Sequence, residues 1–224
     1  MKKKMNLPNK LTVLRICLVP VILLIGMLTP KSDTAAWFGI PQGYISVCFY
    51  VSCLACAAVF IAASVTDMLD GKIARREGIV TDFGKFLDPV ADKFMVIGAM
   101  FVIFYKFQNL QLIMIIALIV VVFRELAVTA IRMVVAGGNV VVAANLLGKV
   151  KTVTQIVAIS TAFIEPALQW LIRACAEKII GEPLAWRTDI VPLTWITIAL
   201  ALVMTVWSGI NYIVACWKYL DPEK

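Results

Sequence analysis

The sequence predicts an all-α integral membrane protein: a bundle of six transmembrane helices, both termini cytosolic, with a polar active-site cavity at the cytosolic side. Three observations predict it. Of the 224 residues, 62% are hydrophobic and only 16% charged, whereas soluble domains have about 45–50% and about 25%, and a chain this short has too little interior to hide the excess. Six runs approach the ~20 residues that cross ~30 Å of hydrocarbon. Where those runs contain charges, the charges gather toward one end.

The first run, Leu11–Pro30, follows Lys2, Lys3, Lys4 and Lys10 and keeps Arg15 near its start. No small-residue cleavage site follows it, so it is expected to stay as a span rather than leave as a signal. Ile45–Thr66 is uncharged and ends at Asp67; Gly84–Tyr105 carries Lys85, Asp88, Asp92 and Lys93 near its start. Phe107–Arg132 carries Arg124 and Glu125, Gly148–Ile164 begins with Lys149 and Lys151, and Ile190–Trp217 is uncharged. With the N-terminus in the cytosol and the spans alternating, 16 of the 21 Lys and Arg residues and 9 of the 14 acids fall on the cytosolic side, which then carries the whole net charge of +7. The stretch Glu165–Asp189 mixes Leu168, Trp170 and Leu171 with Arg173, Glu177 and Lys178 and reads as an amphipathic helix in the outer interface. No linker, repeat or low-complexity tract divides residues 1–224, so a single domain is expected.

Composition also excludes chemistries. There is no histidine, which removes histidine triads, HExxH zinc sites and imidazole proton shuttles. Cys53 and Cys56 form a CxxC, but inside an uncharged run without a second pair; helix packing is the expected role. No nucleic-acid partner is expected.

The informative feature is a set of carboxylates. Asp67 and Asp70 stand three apart in DMLDGKIAR, on one helix face, and Gly84, Asp88 and Asp92 repeat every four residues in GKFLDPVADK, again on one face. A turn around Gly78 and Thr81–Phe83 lets the two helices run antiparallel and point these faces at each other. Ionisable groups at membrane helices are costly and are functional candidates by default. Four anions brought together call for a cation, and an all-oxygen ligand set favours Mg²⁺ or Mn²⁺. Two such ions bridged by shared carboxylates form a clamp suited to displacement at phosphorus. Gly71 and Gly84 have no Cβ to keep a large ligand from the backbone. A divalent-cation transporter is the rival from another class, but it needs acids near mid-membrane, and here they lie at one end.

DMLDGKIAR, followed after eight residues by GKFLDPVAD, resembles the D-x-x-D-G-x-x-A-R-x₈-G-x-x-x-D-x-x-x-D signature of the CDP-alcohol phosphatidyltransferases at every defining position. The resemblance implies six transmembrane helices around a cytosol-facing cavity, in the cell membrane, and an enzyme that replaces CMP on CDP-diacylglycerol with an alcohol. It implies that Asp67, Asp70 and Asp88 hold one metal ion and Asp67, Asp88 and Asp92 a second. Asp92 is then the catalytic base, and Gly71, Ala74, Arg75 and Gly84 line the CDP site. NLPNKLTVLRICLVP (6–20), FRELAVTAIR (123–132) and GKVKTVTQ (148–155) are similar to members of the family whose acceptor is sn-glycerol 3-phosphate, with phosphatidylglycerol phosphate and CMP as products. Arg124, Arg132, Lys149 and Lys151 suit the phosphate of such an acceptor; positive-inside orientation and contact with anionic membrane lipids also account for them. Serine or inositol phosphate is the alternative acceptor. Thr12 and Arg15 are expected at the nucleotide or the lipid, Glu125 beside a cation, and the chain in a homodimer, as is common in the family.

Overall fold

The computed structural model describes residues 6–29, 42–77, 82–137, 146–181 and 191–217. Among these the fold is all helical. Six long helices run α1 Leu7–Leu28, α2 Gln42–Glu77, α3 Asp82–Lys106, α4 Gln111–Gly137, α5 Leu146–Ile180 and α6 Pro192–Cys216, with a short 3₁₀ turn, Gln108–Leu110, between α3 and α4. Five of them, all but α3, are long and apolar enough to cross a membrane, which makes this a multi-pass membrane protein. The exception is the helix that carries Lys85, Asp88, Asp92 and Lys93. Large apolar side chains such as Ile119, Ile196 and Val203 are exposed, as a lipid-facing surface requires.

Helix starts follow local chemistry. Proline stands in the first turn of α1 and at the first position of α6, where an amide N–H would have no helical partner. At the end of α5, Gly181 adopts φ 79° and its N–H bonds to the Glu177 carbonyl at 2.9 Å, a left-handed stop that glycine makes without strain.

That stop corrects one expectation. Glu165–Asp189 does not begin a separate interfacial helix: α5 runs unbroken through Pro166 to Ile180, 35 residues in all. A proline costs one backbone hydrogen bond, and inside a packed membrane helix neighbouring groups absorb the loss. Here Glu165, buried, turns to α6 instead. Its carboxylate accepts hydrogen bonds from the backbone N–H groups of Leu193 (3.1 Å) and Thr194 (2.6 Å) and from the Thr194 hydroxyl (2.7 Å), so it caps the start of α6.

The core draws on all six helices, and α1 and α3 approach each other closely within it. A Cβ added at Gly26 would lie 2.3 Å from Val102 Cγ1, and one at Gly98 would lie 2.7 Å from Val19 Cγ1, so the two helices approach as closely as small residues allow. At the far end of this seam Lys106, buried, donates to Thr29 Oγ1 at 2.6 Å, Ser52 Oγ at 2.7 Å and the Gly26 carbonyl at 3.3 Å, over the Phe49 ring. Cys53 and Cys56 are buried in the same packing, and all six cysteines are unpaired thiols.

Among the described residues α2 and α3 touch each other little, and α1 packs extensively against both. The expected meeting of their acid-bearing faces involves the Asp70 side chain and residues 78–81, which lie outside the described residues.

Candidate active site

The last turns of α2 and α4 and the first turns of α3 and α5 open onto one cavity of about 1200 Å³. Asp67, Asp88 and Asp92 line it, together with Arg124, Glu125, Arg132, Lys149 and Lys151, and with Ser208 and Tyr212 from α6. Ends that alternate along the chain thus meet at one pole of the bundle.

On the acid side, Arg15 Nη1 lies 2.6 Å from Asp67 Oδ1 and 2.8 Å from Asp92 Oδ1. Thr12, one turn earlier on α1, donates its hydroxyl to Asp88 Oδ1 at 2.7 Å. The carboxylates of Asp67 and Asp92 remain half-exposed to the cavity, whereas the Arg15 side chain is only 2% exposed. Among the described residues no three carboxylates close into a ready ion shell; Asp67 and Asp92 are gathered on Arg15 and Asp88 is held by Thr12. The side chains of Asp70, Gly71, Ala74 and Arg75, in the last turns of α2, lie outside those described, as do residues 78–81, where a turn was expected. Gly84 is buried in the first turn of α3.

On the basic side, Glu125 is the organiser. It pairs with Lys151, with Arg124 at 3.1 Å and with Lys93 at 3.9 Å. Arg124 also donates to Ser208 Oγ at 2.7 Å, and Lys93 to Thr129 Oγ1 at 2.6 Å. Lys151 is buried while Arg132 and Lys149 are exposed at the cavity. The four expected phosphate ligands therefore line one space, two of them tied to Glu125.

The donor chemistry fits a divalent ion. The acidic side offers only carboxylate and hydroxyl oxygens, and a buried guanidinium already sits where those carboxylates draw positive charge. Sequence reasoning expected Thr12 and Arg15 at the nucleotide or the lipid; in the structure they touch the aspartates. The available signal was their spacing, three apart in an apolar helix, on one face.

The described residues thus form a helical membrane bundle with carboxylates and cations around one cavity, an arrangement suited to binding metal ions and phosphate groups. Residues 5–207 match the family model described as CDP-alcohol phosphatidyltransferase, and the chain belongs to that family. Its relatives include the CDP-diacylglycerol–glycerol-3-phosphate 3-phosphatidyltransferase of Bacillus subtilis (strain 168), 39% identical over 218 residues, 97% of this chain and 98% of that protein. The Rickettsia felis protein of the same name is 32% identical over 214 residues, 96% of this chain and 97% of its own. A CMP-forming cardiolipin synthase of Oryza sativa subsp. japonica is 31% identical over 228 residues, 97% of this chain and 59% of its own.

Proposed function

We propose that the chain transfers the phosphatidyl group of CDP-diacylglycerol to sn-glycerol 3-phosphate, releasing CMP and forming phosphatidylglycerol phosphate. The observation that carries this reading is one cavity holding Asp67, Asp88 and Asp92 together with Arg124, Arg132, Lys149 and Lys151. A phosphorylated acceptor needs such cations; serine does not.

Asp67, Asp70, Asp88 and Asp92 would hold two Mg²⁺ or Mn²⁺ ions. When bound, the ions supply positive charge to the phosphoryl oxygens during displacement. Asp92 takes the proton of the glycerol C1 hydroxyl as that oxygen bonds to the phosphatidyl phosphorus. The bond from that phosphorus to CMP breaks, and CMP leaves with the electron pair. Arg124, Arg132, Lys149 and Lys151 hold the acceptor phosphate, with Glu125 orienting Arg124 and Lys151. Gly71, Ala74, Arg75 and Gly84 line the CDP site.

The donor's tails stay in lipid. Val65 and Met68 of α2 and Val153 and Val157 of α5 are exposed and line the cavity, which supports a lateral opening there. In this reading α3 is the sixth span, the cavity end and both termini face the cytosol of a bacterial cell membrane, and the chain forms a homodimer.

The test is CMP release from CDP-diacylglycerol by the purified full chain, with glycerol 3-phosphate, serine, inositol phosphate or phosphatidylglycerol as acceptor. Release is expected with glycerol 3-phosphate, abolished by EDTA and restored by Mg²⁺. Release with phosphatidylglycerol alone would favour the activity named for the rice relative, and release with serine or inositol phosphate alone would overturn the acceptor assignment.

A further inference from the structure

We propose that Arg15 is the resident counter-cation of the aspartate cluster, a positioning residue that divalent ions displace from Asp67 and Asp92 as they load. The proposal rests on the reading of those carboxylates as ion ligands given above.

One nitrogen, Arg15 Nη1, touches Asp67 Oδ1 at 2.6 Å and Asp92 Oδ1 at 2.8 Å. Among the described residues their helices, α2 and α3, touch each other little, and α1 packs against both. Thr12 on the same α1 face holds Asp88 at 2.7 Å. Thus α1 supplies a partner to each described aspartate of the site. Arg15 engages Oδ1 of each carboxylate, which keeps lone pairs for an ion, but a guanidinium and a divalent ion a few ångströms apart in a half-buried site repel each other. Ion loading therefore pushes the guanidinium off the pair, an exchange of cations. Before exchange Arg15 keeps the acids gathered instead of letting their repulsion splay α2 from α3.

The experiment uses the full chain in lipid nanodiscs, with R15Q and R15K. Mn²⁺ binding is read by the electron paramagnetic resonance signal of free Mn²⁺, and thermal stability is measured in EDTA and in Mn²⁺. R15Q is expected to bind Mn²⁺ roughly tenfold more tightly than the wild type, to melt earlier in EDTA, and to gain more from Mn²⁺. R15K keeps the charge and is expected to stay within about threefold of wild-type affinity. A scaffold residue would lower stability in EDTA and Mn²⁺ alike. Unchanged or weaker Mn²⁺ binding by R15Q overturns the proposal. If R15Q folds only in Mn²⁺, the exchange is supported; if it folds in neither, R15K decides, and a tenfold change in its affinity overturns the role of charge. A wild type that binds no Mn²⁺ fails the underlying ion reading and this proposal together, whereas binding that R15Q leaves unaltered fails this proposal alone.

Discussion

Removing the carboxylate that joins α5 to α6 tests the packing without touching the site. Glu165→Ala would leave the Leu193 and Thr194 amides at the start of α6 and the Thr194 hydroxyl, in a residue that is 0% exposed, without their acceptor. Losing a helix cap costs ~1 kcal/mol and an unsatisfied buried hydroxyl ~1–3 kcal/mol, so the expected loss is about 3 kcal/mol. Glu165→Gln keeps an acceptor oxygen and loses the charge that complements the helix dipole, about 1 kcal/mol. For a chain of this size that corresponds to roughly 6–12 °C and roughly 2–4 °C in Tm, read by thermal unfolding in detergent micelles. CMP release per folded molecule at 25 °C should stay within about twofold of wild type, since only interactions made at the reacting centre change the chemical step. Melting of Glu165→Ala within a degree of wild type, or below-wild-type melting of Glu165→Gln that exceeds it, would refute the capping argument.

Other expectations concern the cavity and the core. Asp92→Asn should lower CMP release by ~10²–10⁴-fold, the usual worth of a general base, while the protein still folds by circular dichroism; retained turnover would remove Asp92 from that role. Lys151→Met should reduce kcat/KM for glycerol 3-phosphate roughly 30-fold, mostly through KM, as loss of one charge-assisted contact of ~2 kcal/mol implies. The KM for CDP-diacylglycerol should not move, and a change confined to that lipid would place Lys151 elsewhere. Gly26→Ala should cost ~1–3 kcal/mol by overpacking against Val102, and Val102→Ala in the same chain should recover much of it in the melting assay. Gly148→Ala, whose new methyl would meet nothing within 4 Å, is the matched control and should be neutral or slightly stabilising.

Much of the bundle was legible because lipid imposes one requirement on every span: backbone groups bonded internally and apolar side chains outside. Ile45–Thr66 and Ile190–Trp217 met it without a charge; the first lies within α2 and the second spans α6. The acids were legible for the opposite reason, since Asp88 and Asp92 break that requirement in α3. Neighbour relations were less so. Periodicity tells which residues share a face but not which helix that face meets, and so the packing of α1 against both α2 and α3 had no signature beyond Thr12 and Arg15. The length of α5 was hidden by Pro166, which marks a break in water yet not in a packed membrane helix. Glu165, taken as part of an outer segment, proved to be an internal cap because its partners lie 28 and 29 positions away.

The knot around Lys106 is one tie between α3 and its neighbours. The hydroxyls of Thr29, just past α1, and Ser52 of α2, with the Phe49 ring, fasten α3 where it leaves the aspartates farthest behind. Asp92 stands fourteen residues up the same rod, about 21 Å at the helical rise. There Thr12 on Asp88 and Arg15 on Asp92 make a second tie, so polar clasps close both tips of a seam whose middle is apolar.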